Sequence, residues 1–111
     1  NYDRQTDVKI KWNDADGTEK NLERIITQKW IANFPMGLEA WAEFRRTGYP
    51  ELAPAIDNLS VGVISDNFRG LRRLRYPYTE RNLNKSNYDK AVALLGGTDN
   101  ESVDLFWTKK K

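Results

Sequence analysis

The sequence predicts a mainly α fold, a helical hairpin plus one further helix joined by long ordered loops. Three observations carry that prediction. Residues 25–50, IITQKWIANFPMGLEAWAEFRRTGYP, hold two apolar-rich stretches divided by Phe34-Pro35-Met36-Gly37. A Thr47-Gly48-Tyr49-Pro50 stop follows the second stretch. A third stretch runs from Ser86 to the Gly96-Gly97 pair with helical spacing of Tyr88, Ala91, Val92 and Leu95, the periodicity of a helix with one buried stripe.

The first element is less regular. Val8, Ile10 and Trp12 alternate with Lys9 and Lys11, the period of a short strand or extended segment with one buried face, or of an arm that packs on another body. Helix one is expected to start at Asp16 or Thr18, since Asp16 and Glu19 have capping-box spacing. It should end near Asn33, because Pro35 lacks an amide donor and disfavours helix in the residue before it. Leu22, Ile25, Ile26, Trp30, Ile31 and Phe34 spread over more than half its circumference. A helix apolar over so wide an arc needs neighbours on at least two sides, so the chain is expected to self-associate or to expose a large apolar patch.

Helix two is expected over about residues 37–47, closed by Gly48 in the left-handed conformation and kept closed by Pro50. Leu38, Trp41, Ala42 and Phe44 share one side, with Glu39, Glu43 and Arg46 opposite as a solvated face. Trp30 and Trp41 pattern as core. Arg45 falls among the apolar residues, and a guanidinium there needs a carboxylate, several carbonyl oxygens or an exit to water. We read it as a structural anchor.

Residues 49–84 carry Pro50, Pro54, Pro77, Gly62 and Gly70 and sustain no period beyond a short extended piece at Leu59, Val61, Val63 and Ile64. Their apolar content argues for an ordered loop laid over a larger body rather than for disorder. Helix three opens with Ser86 as the expected N-cap and Asp89 three residues on. The tail ends on Phe106-Trp107-Thr108 and three lysines.

Length and composition bound the function. The 111 residues suffice for one domain with a modest core. Eighteen basic against sixteen acidic residues leave a net charge of +2, which makes no case for nucleic acid or an anionic membrane surface. The chain has neither cysteine nor histidine, so disulfides, thiolate metal sites and the commonest general base are all missing. No phosphate loop, metal-ligand spacing or nucleophile elbow occurs, and Glu39 and Glu43 read as a solvated face rather than a glycosidase pair. No catalytic residue, metal or cofactor is expected. The strongest local charge feature is Arg69, Arg72, Arg73 and Arg75. Pairing with carboxylates of the same protein is the favoured reading. The alternative is a small helical module that uses these arginines to bind nucleic acid or an acidic partner. Trp12, Tyr49 and Trp107 lie outside the regular elements and are the freer aromatics. Because the chain opens at Asn1 and its only methionine is Met36, we expect a piece of a longer protein.

Several strings then point beyond their own physics. Gln28-Lys29-Trp30-Ile31-Ala32, Glu39-Ala40-Trp41, the run Arg45-Arg46-Thr47-Gly48-Tyr49-Pro50, the Arg73, Tyr76-Pro77, Glu80 spacing and the closing Phe106-Trp107 together resemble the C-terminal part of the SusD/RagB family. The closing pair departs from the expected Trp-Trp-Asp. The resemblance covers about residues 22–107 and assigns the whole chain, 1–111, to the C-terminal portion of a larger protein. It implies a tetratricopeptide-like SusD fold and a surface-exposed outer-membrane lipoprotein. Such a protein binds nutrients, mostly oligosaccharides, without catalysis and delivers them to a SusC-like TonB-dependent transporter. The membrane is then met only through an N-terminal lipid anchor that this chain lacks, and no nucleic acid is involved. Trp30, Trp41, Arg45, Arg46, Tyr76 and Pro77 are expected to be structural. No ligand-binding residue carries over, because sugar-stacking aromatics of the family lie mostly elsewhere.

Overall fold

The computed structural model describes residues 8–53 and 70–108. Its helices are α1 (Thr18–Ala32), α2 (Gly37–Thr47), α3 (Tyr78–Leu83) and α4 (Lys85–Leu94), with no strand among the described residues. The chain divides into two compact units, Asn1–Ala53 and Pro54–Lys111. No helix among the described residues is long and apolar enough to cross a membrane.

In the first unit α1 packs against α2. Gly17 precedes α1 with no side-chain cap. The capping box expected from Asp16 and Glu19 does not form, because both carboxylates are engaged elsewhere: Asp16 by Arg24 at 2.7 Å and Glu19 by the Tyr49 hydroxyl at 3.0 Å. α1 ends as Pro35 requires, with the Asn33 amide donating to the Lys29 carbonyl at 2.9 Å. At the end of α2, Gly48 is left-handed (φ 82°) and its amide reaches the Phe44 carbonyl, a conformation that only glycine adopts without steric cost.

The hairpin closes on a different face of α2 from the one its apolar spacing suggests. Ala40, Phe44 and Thr47, at i, i+4 and i+7, are buried, as is Ile26 of α1, whereas Leu38 is 80% exposed. Glu43, expected on the solvated side, has a side chain only 15% exposed. Lys29 of α1 reaches across to Glu43 at 2.9 Å and Glu39 at 3.3 Å, so that side of α2 is bridged to α1. Trp30, expected as core, is 40% exposed, and Ile31 and Phe34 are 58% and 88% exposed.

Residues 8–12 form no strand. Ile10 and Trp12 are exposed, so the expected buried face is absent in the described part. The Lys9 carbonyl is taken by the Arg24 guanidinium at 2.6 Å instead of by a ladder.

The second unit contains a helix that the sequence does not announce. α3 occupies six residues of the stretch read as loop, with Pro77 at its N-cap position, where a missing amide costs nothing. α4 begins at Lys85, one residue before the expected Ser86 cap; Asn84 occupies the cap position and makes no side-chain cap bond. Lys85 instead pairs with Asp89 one turn on, at 2.8 Å. Gly96 and Gly97 close the helix at positive φ as expected. Tyr88, Ala91, Val92 and Leu95 are half-buried, and the Tyr88 ring meets Tyr76 edge-on at 6.0 Å. The extended piece expected at Leu59 to Ile64, like Arg69, lies outside the described residues.

Candidate functional site

Buried arginines, rather than any catalytic group, organise both units. In the first unit Arg24 is only 6% exposed. Its guanidinium donates to the Lys9 carbonyl, the Asn21 side chain and Asp16, which draws the 8–16 segment onto α1. A guanidinium so buried is tolerable only when its donors are matched in this way. The hydrogen bond from Arg24 outweighs desolvation and holds the Asp16 carboxyl below its ordinary range.

The hollow beside this clamp has a volume of about 570 Å³ and is walled by Lys9, Lys11, Trp12, Lys20, Glu23 and Glu51, among others. Glu23 is buried with its Oε1 lacking a hydrogen-bond partner. The Trp12 indole N–H is bound to Asp14 at 2.7 Å. The wall is thus mainly charged, with one half-exposed ring. That is not the flat aromatic platform with converging hydroxyl partners that sugar recognition needs.

Arg45 is 8% exposed, and its guanidinium carbon lies 3.5 Å from the centre of the Trp41 ring. Stacking of this kind lets a charged group lie against an apolar face. Arg46 is exposed and binds Glu43 at 2.6 Å. The hydrogen bond from Arg46, then that from Lys29, lowers the Glu43 carboxyl, and Glu43 in turn raises the Lys29 amine. Tyr49 is pushed up to about 12 by burial and by its bond to Glu19.

In the second unit Arg72 pairs with Asp104 at 2.8 Å, Arg73 with Asp99, and Arg75 with Glu101 at 2.8 Å. Arg72 and Arg73 are almost wholly buried. Asp99 also accepts from the Tyr76 amide and the Tyr88 hydroxyl. Burial pushes the Asp99 carboxyl up, yet Arg73 and these neighbours outweigh it and leave the group below its ordinary range. The hydrogen bond from Arg75 lowers Glu101 likewise. The intramolecular pairing favoured for the arginine cluster is therefore what forms at Arg72, Arg73 and Arg75.

The expected structural residues do not converge on one site. Trp41 meets Arg45, Arg46 meets Glu43, Tyr76 lies beside Arg73 at 4.8 Å, Pro77 starts α3, and Trp30 lines an open groove. Arg24 and Asp99, the two most connected charges, carry no motif that marks them. The acidic run Asp99, Glu101, Asp104 lying downstream of an arginine run is the one available signal for the second. No cluster of three or more acidic side chains able to hold a metal occurs among the described residues.

Comparison with known proteins places this architecture. A family model described as SusD-like, SusD and RagB outer membrane lipoprotein, matches residues 1–108. A SusD homologue from Bacteroides uniformis is 48% identical with a TM-score of 0.88, covering 98% of this chain and 23% of its own. A SusD-like protein from Bacteroides thetaiotaomicron is 44% identical with a TM-score of 0.86, over 99% of this chain and 22% of its own. A chitin-binding SusD homologue from Flavobacterium johnsoniae is 42% identical with a TM-score of 0.81, over 90% and 20%. No curated protein matches. The chain thus spans less than a quarter of the length of these relatives, and its helices share their tetratricopeptide-like helical fold. The chain belongs to the SusD-like family of outer membrane lipoproteins.

Proposed function

We propose that this chain is the C-terminal portion of a longer, surface-exposed nutrient-binding protein. That protein captures an oligosaccharide without chemical change and delivers it to a SusC-like TonB-dependent transporter. The observation that carries the reading is the family match over residues 1–108, supported by the 42% identity to a chitin-binding homologue. The role of this portion is to hold the fold, and the sugar contacts lie in the part of the protein outside it.

Calorimetric titration of the full-length protein with chitooligosaccharides, followed by chromatography of the recovered sugar, tests the reading. Saturable binding with the sugar returned intact is expected. Release of shorter sugars overturns the non-catalytic assignment, and failure of a panel of oligosaccharides to bind overturns the ligand class. The nucleic-acid alternative loses its basis at Arg72, Arg73 and Arg75, whose charges are matched by carboxylates.

A further inference from the structure

The hollow beside the Arg24 clamp holds charges that the fold leaves unmatched. Glu23 lines it and is only 8% exposed, yet its Oε1 has no hydrogen-bond partner. A carboxylate oxygen withdrawn from water in this way is costly until a donor reaches it. Lys9, Lys11, Lys20 and Glu51 are exposed along the same walls. None of these four forms an ion pair among the described residues. Arg24 and Asp16 satisfy each other at 2.7 Å, so three ammoniums face two carboxylates and one positive charge is in excess. The backbone carrying the lysines is fixed on α1, because Arg24 holds the Lys9 carbonyl at 2.6 Å.

We infer that this hollow binds a small zwitterion with an excess of negative charge, an α-amino acid that carries a second carboxylate. Its ammonium donates to Glu23 Oε1, and its two carboxylates meet Lys9, Lys11 and Lys20. Charge decides the class. A bare metal cation requires several oxygen ligands, and no group of three or more acidic side chains able to hold one occurs among the described residues. A simple anion would satisfy the lysines and leave Glu23 Oε1 without a donor. An ammonium joined to two carboxylates answers both demands and cancels the excess charge of the walls. Size is compatible, since about 570 Å³ falls within the range of ~300–1,000 Å³ usual for small-molecule sites. The Trp12 ring, 53% exposed with its N–H already bound to Asp14, offers its face to the methylene groups of such a ligand. A site of this kind is independent of the sugar reading, because no sugar contact enters it.

Calorimetric titration of the full-length protein with L-glutamate at low ionic strength tests the proposal. Saturable binding with a Kd at or below about 1 mM is expected. Glu23→Gln should weaken it about tenfold or more, through loss of a charge-assisted hydrogen bond. N-acetyl-L-glutamate keeps both carboxylates but has no ammonium, and should bind about tenfold or more weakly than glutamate. Lys11 is exposed, so Lys11→Gln keeps the fold and decides the matter if Glu23→Gln does not fold; a loss of about threefold or more is expected there. No saturable binding up to about 10 mM overturns the proposal. Affinity within about twofold of wild type in a folded Glu23→Gln variant, or in Lys11→Gln where that variant does not fold, overturns it as well. Equal affinity for N-acetyl-L-glutamate removes the ammonium contact and also overturns it. None of these results bears on oligosaccharide capture, which the sugar titration tests separately.

Discussion

Asp99 gathers a guanidinium, a backbone amide and a phenol hydroxyl onto one carboxylate, and the Arg73 and Asp99 side chains are 6% and 4% exposed. Removing one partner of such a pair leaves the other charged and out of water, so Arg73→Ala should cost roughly 3 kcal/mol in urea denaturation. Arg75, 37% exposed in its pair with Glu101, is the control: Arg75→Ala should cost no more than about 1 kcal/mol. Acid acts through the same groups. The folded-state carboxyls of Asp99 and Glu101 lie below their ordinary values. Their contribution is therefore full above the unfolded carboxylate range near ~4 and drains away as pH falls through the folded values. The urea midpoint should drop on acidification below that range, and Asp99→Asn should flatten the drop. Tyr49 titrates in the opposite sense. Raised to about 12, it contributes stability that is present below the free phenol value near ~10 and lost as pH rises through its folded value. Ultraviolet titration of the chain against Tyr49→Phe should show the missing phenol to be the late-ionising one.

Among the elements, the ends were legible and the faces were not. Pro35, Gly48 and the Gly96-Gly97 pair stop helices through backbone constraints that act within one or two residues, and the structure places α1, α2 and α4 accordingly. Gly48→Ala forces a side chain into the left-handed region at φ 82° and should cost about 1 kcal/mol in a thermal melt. Glu39 and Glu43 of α2 pair with Lys29, ten and fourteen residues away, and helical periodicity contains no such information. α3 escaped notice because six residues are too few to establish a period, and because Pro77 reads as a breaker as readily as an N-terminal residue. The Arg24 clamp was illegible for a similar reason. Its partners Lys9 and Asp16 precede the helix on a segment whose alternation suggests a strand. The arginine cluster was legible because opposite charge on two short runs is visible in the sequence itself.

For the whole molecule, the family was readable from long strings in order, whereas burial was not. The expected wide apolar arc of α1 is there, but little of it is covered: Ile26 is 4% exposed while Ile25, Ile31 and Phe34 are more than half exposed. That pattern and the small share of each relative matched by this chain have a common explanation if these residues are scaffold for a site located elsewhere in a longer protein. Trp12, 53% exposed beside the charged hollow, is the aromatic of this chain best placed to disprove that view. The decisive measurement is calorimetric titration of the full-length protein with whichever oligosaccharide of a panel it binds, wild type against Trp12→Ala, with folding of both checked by melting. Affinities within about twofold of one another are predicted, and a loss of about tenfold or more in a folded variant would contradict the scaffold assignment.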